Sequence, residues 1–168
     1  MKLRLITSFL LLSITAVYVF RIYTADPEFD EMLDDLLDNT VPQVTTESLA
    51  PEIESVILLD SRSREEFETS HLQGARWVGF QKFDVDAFEN LDRDAPIVVY
   101  CSVGKRSELV GEQLKNAGFK NVKNLRGGIF QWANENRPIV DGNGPTRNVH
   151  PYDRKWGRWL APHISKKM

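Results

Sequence analysis

The sequence predicts an α/β domain, a three-layer sandwich in which helices cover both faces of a mostly parallel sheet. Two observations predict it. Short continuous apolar runs rich in Val and Ile recur at "SVILLD" (55–60), "PIVVYC" (96–101) and "NVKNL" (121–125). Segments of helical period separate them. Strands buried on both faces read as unbroken apolar runs, and the helices between them supply parallel crossovers.

The elements follow in order. Residues 26–39, "DPEFDEMLDDLLDN", carry seven acids and no base. Phe29, Met32, Leu33, Leu36 and Leu37 recur at helical spacing, which predicts a short amphipathic helix packed on the main domain. "SVILLD" then predicts a buried strand ending at Asp60. Ser63 with Glu66 three residues later forms a capping box, so a helix starts there. "ARWVGF" (75–80) reads as a strand, "DVDAFENL" as a helix and "DRDAP" as a turn. "PIVVYC" is the strongest buried-strand signal in the chain. "SELVGEQLKNAGF" predicts a helix with Ser107 as its cap. Its buried face is Leu109, Val110, Leu114 and Ala117, and it stops at Gly118. "RGG" is a turn, and "IFQWANEN" a last helix.

Both ends of the chain differ from this middle. Lys2 and Arg4 precede Leu5–Phe20, which holds no charge. A basic start before an apolar run is the pattern of an export signal. Tyr23 is a poor residue two positions before Ala25 at a cleavage site, so of the two readings open for residues 1–25, a cleaved signal peptide or an uncleaved transmembrane anchor, the sequence leans to the anchor. The basic side stays cytoplasmic, and the remainder faces away from the cytoplasm, periplasmic or extracellular. Residues 26–43 form the acidic helix and linker, 44–140 the α/β domain and 141–168 an extension. Beyond Pro145 the extension carries Arg147, Arg154, Lys155, Arg158, Lys166 and Lys167 among Trp156, Trp159 and Leu160. Two readings stay open for it: aromatics packed on the domain with the bases in water, or a contact surface for anionic lipid or a protein partner.

Composition excludes several classes. A net charge of −3 argues against a nucleic-acid partner. One cysteine excludes an internal disulfide and a Cys-x-x-Cys motif. His71, His150 and His163 lie too far apart in sequence to suggest a metal site, and no cofactor is implied.

The lone Cys101 closes a predicted parallel strand, where α/β folds bind ligands. "CSVGKRS" must turn from strand to helix within a few residues. Gly104 permits that turn, successive N–H groups can cradle an anion, and the following helix adds its N-terminal dipole. Lys105 and Arg106 add positive charge. These features favour thiolate over thiol and predict a lowered pKa and a nucleophile.

"CSVGKRS" resembles the active-site loop of rhodanese-domain sulfurtransferases, whose small members show Cys-x-x-Gly-x-Arg-Ser. The resemblance extends to "LLDSRSREEFETSHLQGARWV" and "LKNAGFKNVKNLRGGIFQW", and so covers about residues 44–140 in order. It implies a rhodanese-like fold in which Cys101 takes a sulfane sulfur as a persulfide from a small sulfur-anion donor such as thiosulfate. The sulfur then passes to cyanide or a thiol acceptor. The loop amides of Ser102, Val103, Gly104, Lys105, Arg106 and Ser107 would hold the persulfide, and Arg106 would face the donor's anionic end or brace the loop. Asp60 and Arg62 would support the loop, His71 would be structural, and Trp132 would pack in the core. Related phosphatases carry Cys-x5-Arg; Cys101 to Arg106 is Cys-x4-Arg, a smaller cradle that suits a single sulfur. A non-catalytic binding or redox-sensing module on the same fold is the alternative.

Overall fold

In a computed structural model of the chain, residues 27–168 are described. Five strands, β1 (Gln43–Val44), β2 (Ile57–Asp60), β3 (Arg76–Trp77), β4 (Ile97–Tyr100) and β5 (Val122–Leu125), form one sheet in the order β1-β5-β4-β2-β3. Every pairing in it is parallel. The register sets Asp60 opposite both Tyr100 and Trp77. The ends of three neighbouring strands therefore share one edge with Cys101, the residue after β4.

Alternation along the strands divides the core in two. Leu58, Val98, Tyr100 and Leu125 join Phe29, Leu33, Ile129 and Phe130 on one face. Leu59, Ile97, Val99 and Val122 join Val110, Leu114 and Phe119 on the other. The first face is covered by α1 (Pro27–Leu36) and α5 (Gly128–Asn134), the second by α4 (Lys105–Asn116). Two shorter helices, α2 (Thr46–Leu49) and α3 (Arg64–Thr69), lie between strands. The layered architecture and the packing of the acidic helix agree with the sequence. Phe29, Leu33 and Leu37 are buried, while Asp30 and Asp34 face Arg126.

The structure corrects several expectations. "DVDAFENL" forms only a 3₁₀ turn, Asp86–Phe88. The Asp84 carboxylate accepts the Asp86 N–H, a local bond that competes with helix. Phe83 and Phe88 meet at 5.9 Å, tied down by the second core. Helix α4 starts at Lys105 rather than Ser107, with Gly104 at its N-cap, so Ser107 lies inside the helix. Leu109 is not on the buried face; it is exposed, and Gly111 packs against Val41 instead. The strand expected over 75–80 shrinks to Arg76–Trp77, an edge strand that ends before Gly79, where φ is +69°.

The C-terminal extension is part of the packed body. β6 (Ile139–Asp141) and β7 (Gly144–Thr146) make a hairpin, while β8 (Asn148–Val149) and β9 (Ser165–Lys166) pair in parallel. Trp159 meets Phe29 at 5.5 Å, and Arg147, Arg154, Lys155, Arg158, Lys166 and Lys167 stay exposed. Its aromatics thus follow the first of the two readings. Among the described residues no helix is long and apolar enough to cross a membrane. The anchor expected in residues 1–25 lies outside the described residues.

Candidate active site

Strand β4 delivers Cys101 to the sheet edge, and the chain turns at once into α4. Gly104 makes this possible with φ +118°. Its N–H donates to Cys101 Sγ at 3.1 Å. Burial by itself would raise the Cys101 pKa. The Arg106 charge and hydrogen bonds from Ser107 and Gly104 outweigh it, and the thiol sits below its ordinary value. Cys101 is 1% exposed, and Ser102, Val103 and Gly104 are buried with it.

The loop is fixed from three directions. Asn124 of β5, wholly buried, donates from Nδ2 to the Gly104 carbonyl at 3.0 Å. Its Oδ1 lies 2.7 Å from the Ser107 hydroxyl, which is also 3.0 Å from that carbonyl. The Ile129 and Phe130 N–H groups at the start of α5 donate to the carbonyls of Cys101 and Ser102, at 3.0 and 3.1 Å. This close approach needs Gly128, since a Cβ there would fall 2.3 Å from the Cys101 carbonyl oxygen. The third support is Glu66. It receives Arg106 Nη1 at 2.8 Å and Nη2 at 2.7 Å, and the Ser102 hydroxyl at 2.9 Å.

The sequence-predicted residues therefore fall into two groups. Cys101 to Ser107 form one compact loop. Arg106 braces it through Glu66 and through Ser102 Oγ at 2.9 Å. Lys105 departs from expectation, since its ammonium is paired with Asp38 at the surface and the cation acting on the thiol is Arg106. Asp60 and Arg62 stand one strand away as a buried ion pair. Arg62 Nη2 reaches Asp60 Oδ2 at 2.6 Å and the Ser70 carbonyl at 2.5 Å. Between them Ser61 donates its N–H to the Tyr100 carbonyl at 2.9 Å, so the pair steadies the turn beside the residue preceding Cys101. His71 stacks on Phe67 with 4.0 Å between ring centroids, and Trp132 Nε1 donates to the Pro138 carbonyl. Both side chains are engaged in packing or backbone contacts. Among the described residues no cluster of three or more His, Cys, Asp and Glu could hold a metal ion.

In the sequence Glu66 stands out as the N3 residue of a capping box and lies within the segment of family resemblance. The box forms, with Ser63 N–H donating to Glu66 Oε2 at 2.9 Å. The carboxylate's second duty toward Arg106 carried no local signal. Asn124 shows in the sequence only as part of a strand.

The arrangement holds the Cys101 sulfur, its pKa lowered, against the Gly104 N–H and within the influence of the Arg106 guanidinium, a site suited to nucleophilic attack on a small anion. The family model for the rhodanese-like domain matches residues 45–135. A sulfurtransferase of Allochromatium vinosum is 32% identical over 107 residues, 62% of this chain and 99% of that protein. A tRNA sulfurtransferase of Desulfurococcus amylolyticus is 37% identical over 95 residues, 54% of this chain; the chain spans 18% of that protein's length. The solution structure of a rhodanese-like domain from Anabaena sp. superposes with a TM-score of 0.55 at 25% identity, covering 60% of this chain and 79% of that one.

Proposed function

The chain belongs to the rhodanese-like domain family, with relatives named as sulfurtransferases, and on that premise we propose that it transfers sulfane sulfur through a persulfide on Cys101. The observation that carries this reading is the Gly104 N–H on Cys101 Sγ, inside a loop whose Arg106 is braced by Glu66. The Cys101 thiolate attacks the outer sulfur of thiosulfate. A bond forms between Sγ and that sulfur, the sulfur–sulfur bond of thiosulfate breaks, and sulfite leaves with the electron pair. The persulfide's terminal sulfur is then attacked by cyanide or a thiolate, and Cys101 leaves as thiolate. No external oxidant or reductant is required.

The same loop amides that lower the thiol's pKa stabilise the persulfide anion. Arg106 acts on the sulfur electrostatically and holds the loop's curvature. Asp60 and Arg62 position the neighbouring turn.

The apolar run at Leu5–Phe20 supports a domain held at the membrane and facing away from the cytoplasm. Protease treatment of cells stripped of any outer barrier but with the cytoplasmic membrane intact tests this side of the reading: protection until that membrane is lysed would overturn it.

Intact-protein mass spectrometry of the full chain before and after thiosulfate tests the chemistry. A gain of one sulfur, lost on adding cyanide and absent in Cys101→Ser, is the expected result. A folded protein with a free thiol and no adduct from thiosulfate or other sulfane donors would favour the binding module.

A further inference from the structure

The extension beyond the family's segment is held firmly. Val149, Leu160 and Ile164 are buried in the first core. It also runs beside the proposed site. His150 is nearly buried, with Nε2 4.0 Å from Glu65 of α3, one residue from the Glu66 that holds Arg106. The next turn lays the Tyr152 ring over the Arg106 guanidinium, 4.9 Å from carbon to ring centroid.

Tyr152 has φ +65°, the left-handed region that bulky residues rarely adopt. Its own N–H donates to His150 Nδ1 at 3.1 Å, and the Asp153 N–H to the Pro151 carbonyl at 2.8 Å. Tyr152 is 51% exposed, so burial is not what holds it there. A strained backbone that presents a half-exposed aromatic to a site cation is the kind of feature found where a site is shaped. Cys101, the thiol on which the Arg106 charge acts, is 1% exposed.

We infer that Tyr152 is a specificity-determining residue: stacked on Arg106, it narrows the approach to Cys101, so that small anions reach the sulfur and bulky thiols do not. The admitted class is compact and anionic, thiosulfate as donor and cyanide as acceptor. This rests on the sulfur-transfer reading for its biological meaning and is tested without it.

Cys101 is the only cysteine, so its alkylation reports the approach directly. The rates with iodoacetamide and with fluorescein maleimide are compared in the full chain, in Tyr152→Gly, in Tyr152→Asn and in Tyr152→Phe. Gly and Asn both tolerate positive φ, so the turn is kept while the ring is lost. The expected result is a rise of about tenfold or more in the maleimide rate for Gly and Asn, against about twofold or less for iodoacetamide, with Phe behaving as wild type. Unchanged selectivity between the two reagents in both Gly and Asn variants overturns the inference. Selective maleimide gating in a protein that takes no sulfur would overturn the transfer reading alone. Persulfide formation with unchanged selectivity would overturn the gate alone.

Discussion

Glu66 and Arg106, 40 residues apart in the chain, meet through two hydrogen bonds of 2.7 and 2.8 Å at the mouth of the Cys101 loop. The carboxylate is almost wholly buried and the guanidinium only partly so. Burial pushes the Glu66 pKa up, but the hydrogen bonds and charge of Arg106, the Ser63 N–H and the charge of Arg62 outweigh it, and the value falls to about 2 from 4.5. A carboxylate with a depressed folded-state pKa contributes stability that is complete above its unfolded value and is lost as pH falls through the folded one. Stability from Glu66 should therefore be full above pH ~4.5 and fade toward pH ~2. Glu66→Gln should lower stability by about 2–4 kcal/mol at neutral pH, because Arg106 loses its partner. The same variant should flatten the acid limb between those pH values. Denaturant melts of both proteins from pH 7 to pH 2 check this, and an unchanged acid limb would refute the assignment.

Cys101 should react as a thiolate at lower pH than free cysteine does. Its pKa is depressed although burial opposes this, chiefly because of the Arg106 charge. The alkylation rate of the folded chain should level off at a lower pH than the rate of a free cysteine standard. Arg106→Met should move that inflection upward, since the attractive charge is gone. Iodoacetamide rates across pH measure both.

Gly128→Ala should damage the site through its backbone. The added carbon would sit 2.3 Å from the Cys101 carbonyl oxygen, at a φ of +53°. Overlap and left-handed strain together should cost ~3 kcal/mol or more. Gly118→Ala is the control, because its φ is also positive but nothing lies within 4 Å of the added carbon. It should cost only about 1–2 kcal/mol. Urea midpoints of the two variants decide the matter.

Leu33→Ala tests whether the acidic helix belongs to the domain. Leu33 is 1% exposed, packed in the first core. Truncation should destabilise the protein by about 2–5 kcal/mol in a single cooperative transition. A separate early loss of helical circular dichroism, before the tryptophan fluorescence changes, would show a loosely attached helix instead.

The capping box at Ser63 and Glu66 was legible because both its partners lie within one turn of chain. The loop from Cys101 to Ser107 was legible for the same reason: strand end, glycine, cations and helix start occur in one run. Helix start positions were less so. Ser107 looks like a cap, yet Gly104 adopts the capping backbone and the hydroxyl turns inward to Asn124. Lys105 and Arg106 look alike as charges. Their difference comes from which carboxylate each meets, Asp38 at the surface or the buried Glu66 of α3 beside the loop.

By itself the sequence determined the alternating architecture, the position of Cys101 at a strand end and the short Cys-x4-Arg spacing. Each is a local property of periodicity or of a few adjacent residues. Only the tertiary structure decided that Glu66 and Asn124 hold the loop, that Gly128 lets α5 touch its carbonyls, and that Tyr152 covers Arg106. These contacts join segments 17 to 40 residues apart or more. They are set by strand register and packing, which bring distant backbone together without leaving a periodic trace in the chain.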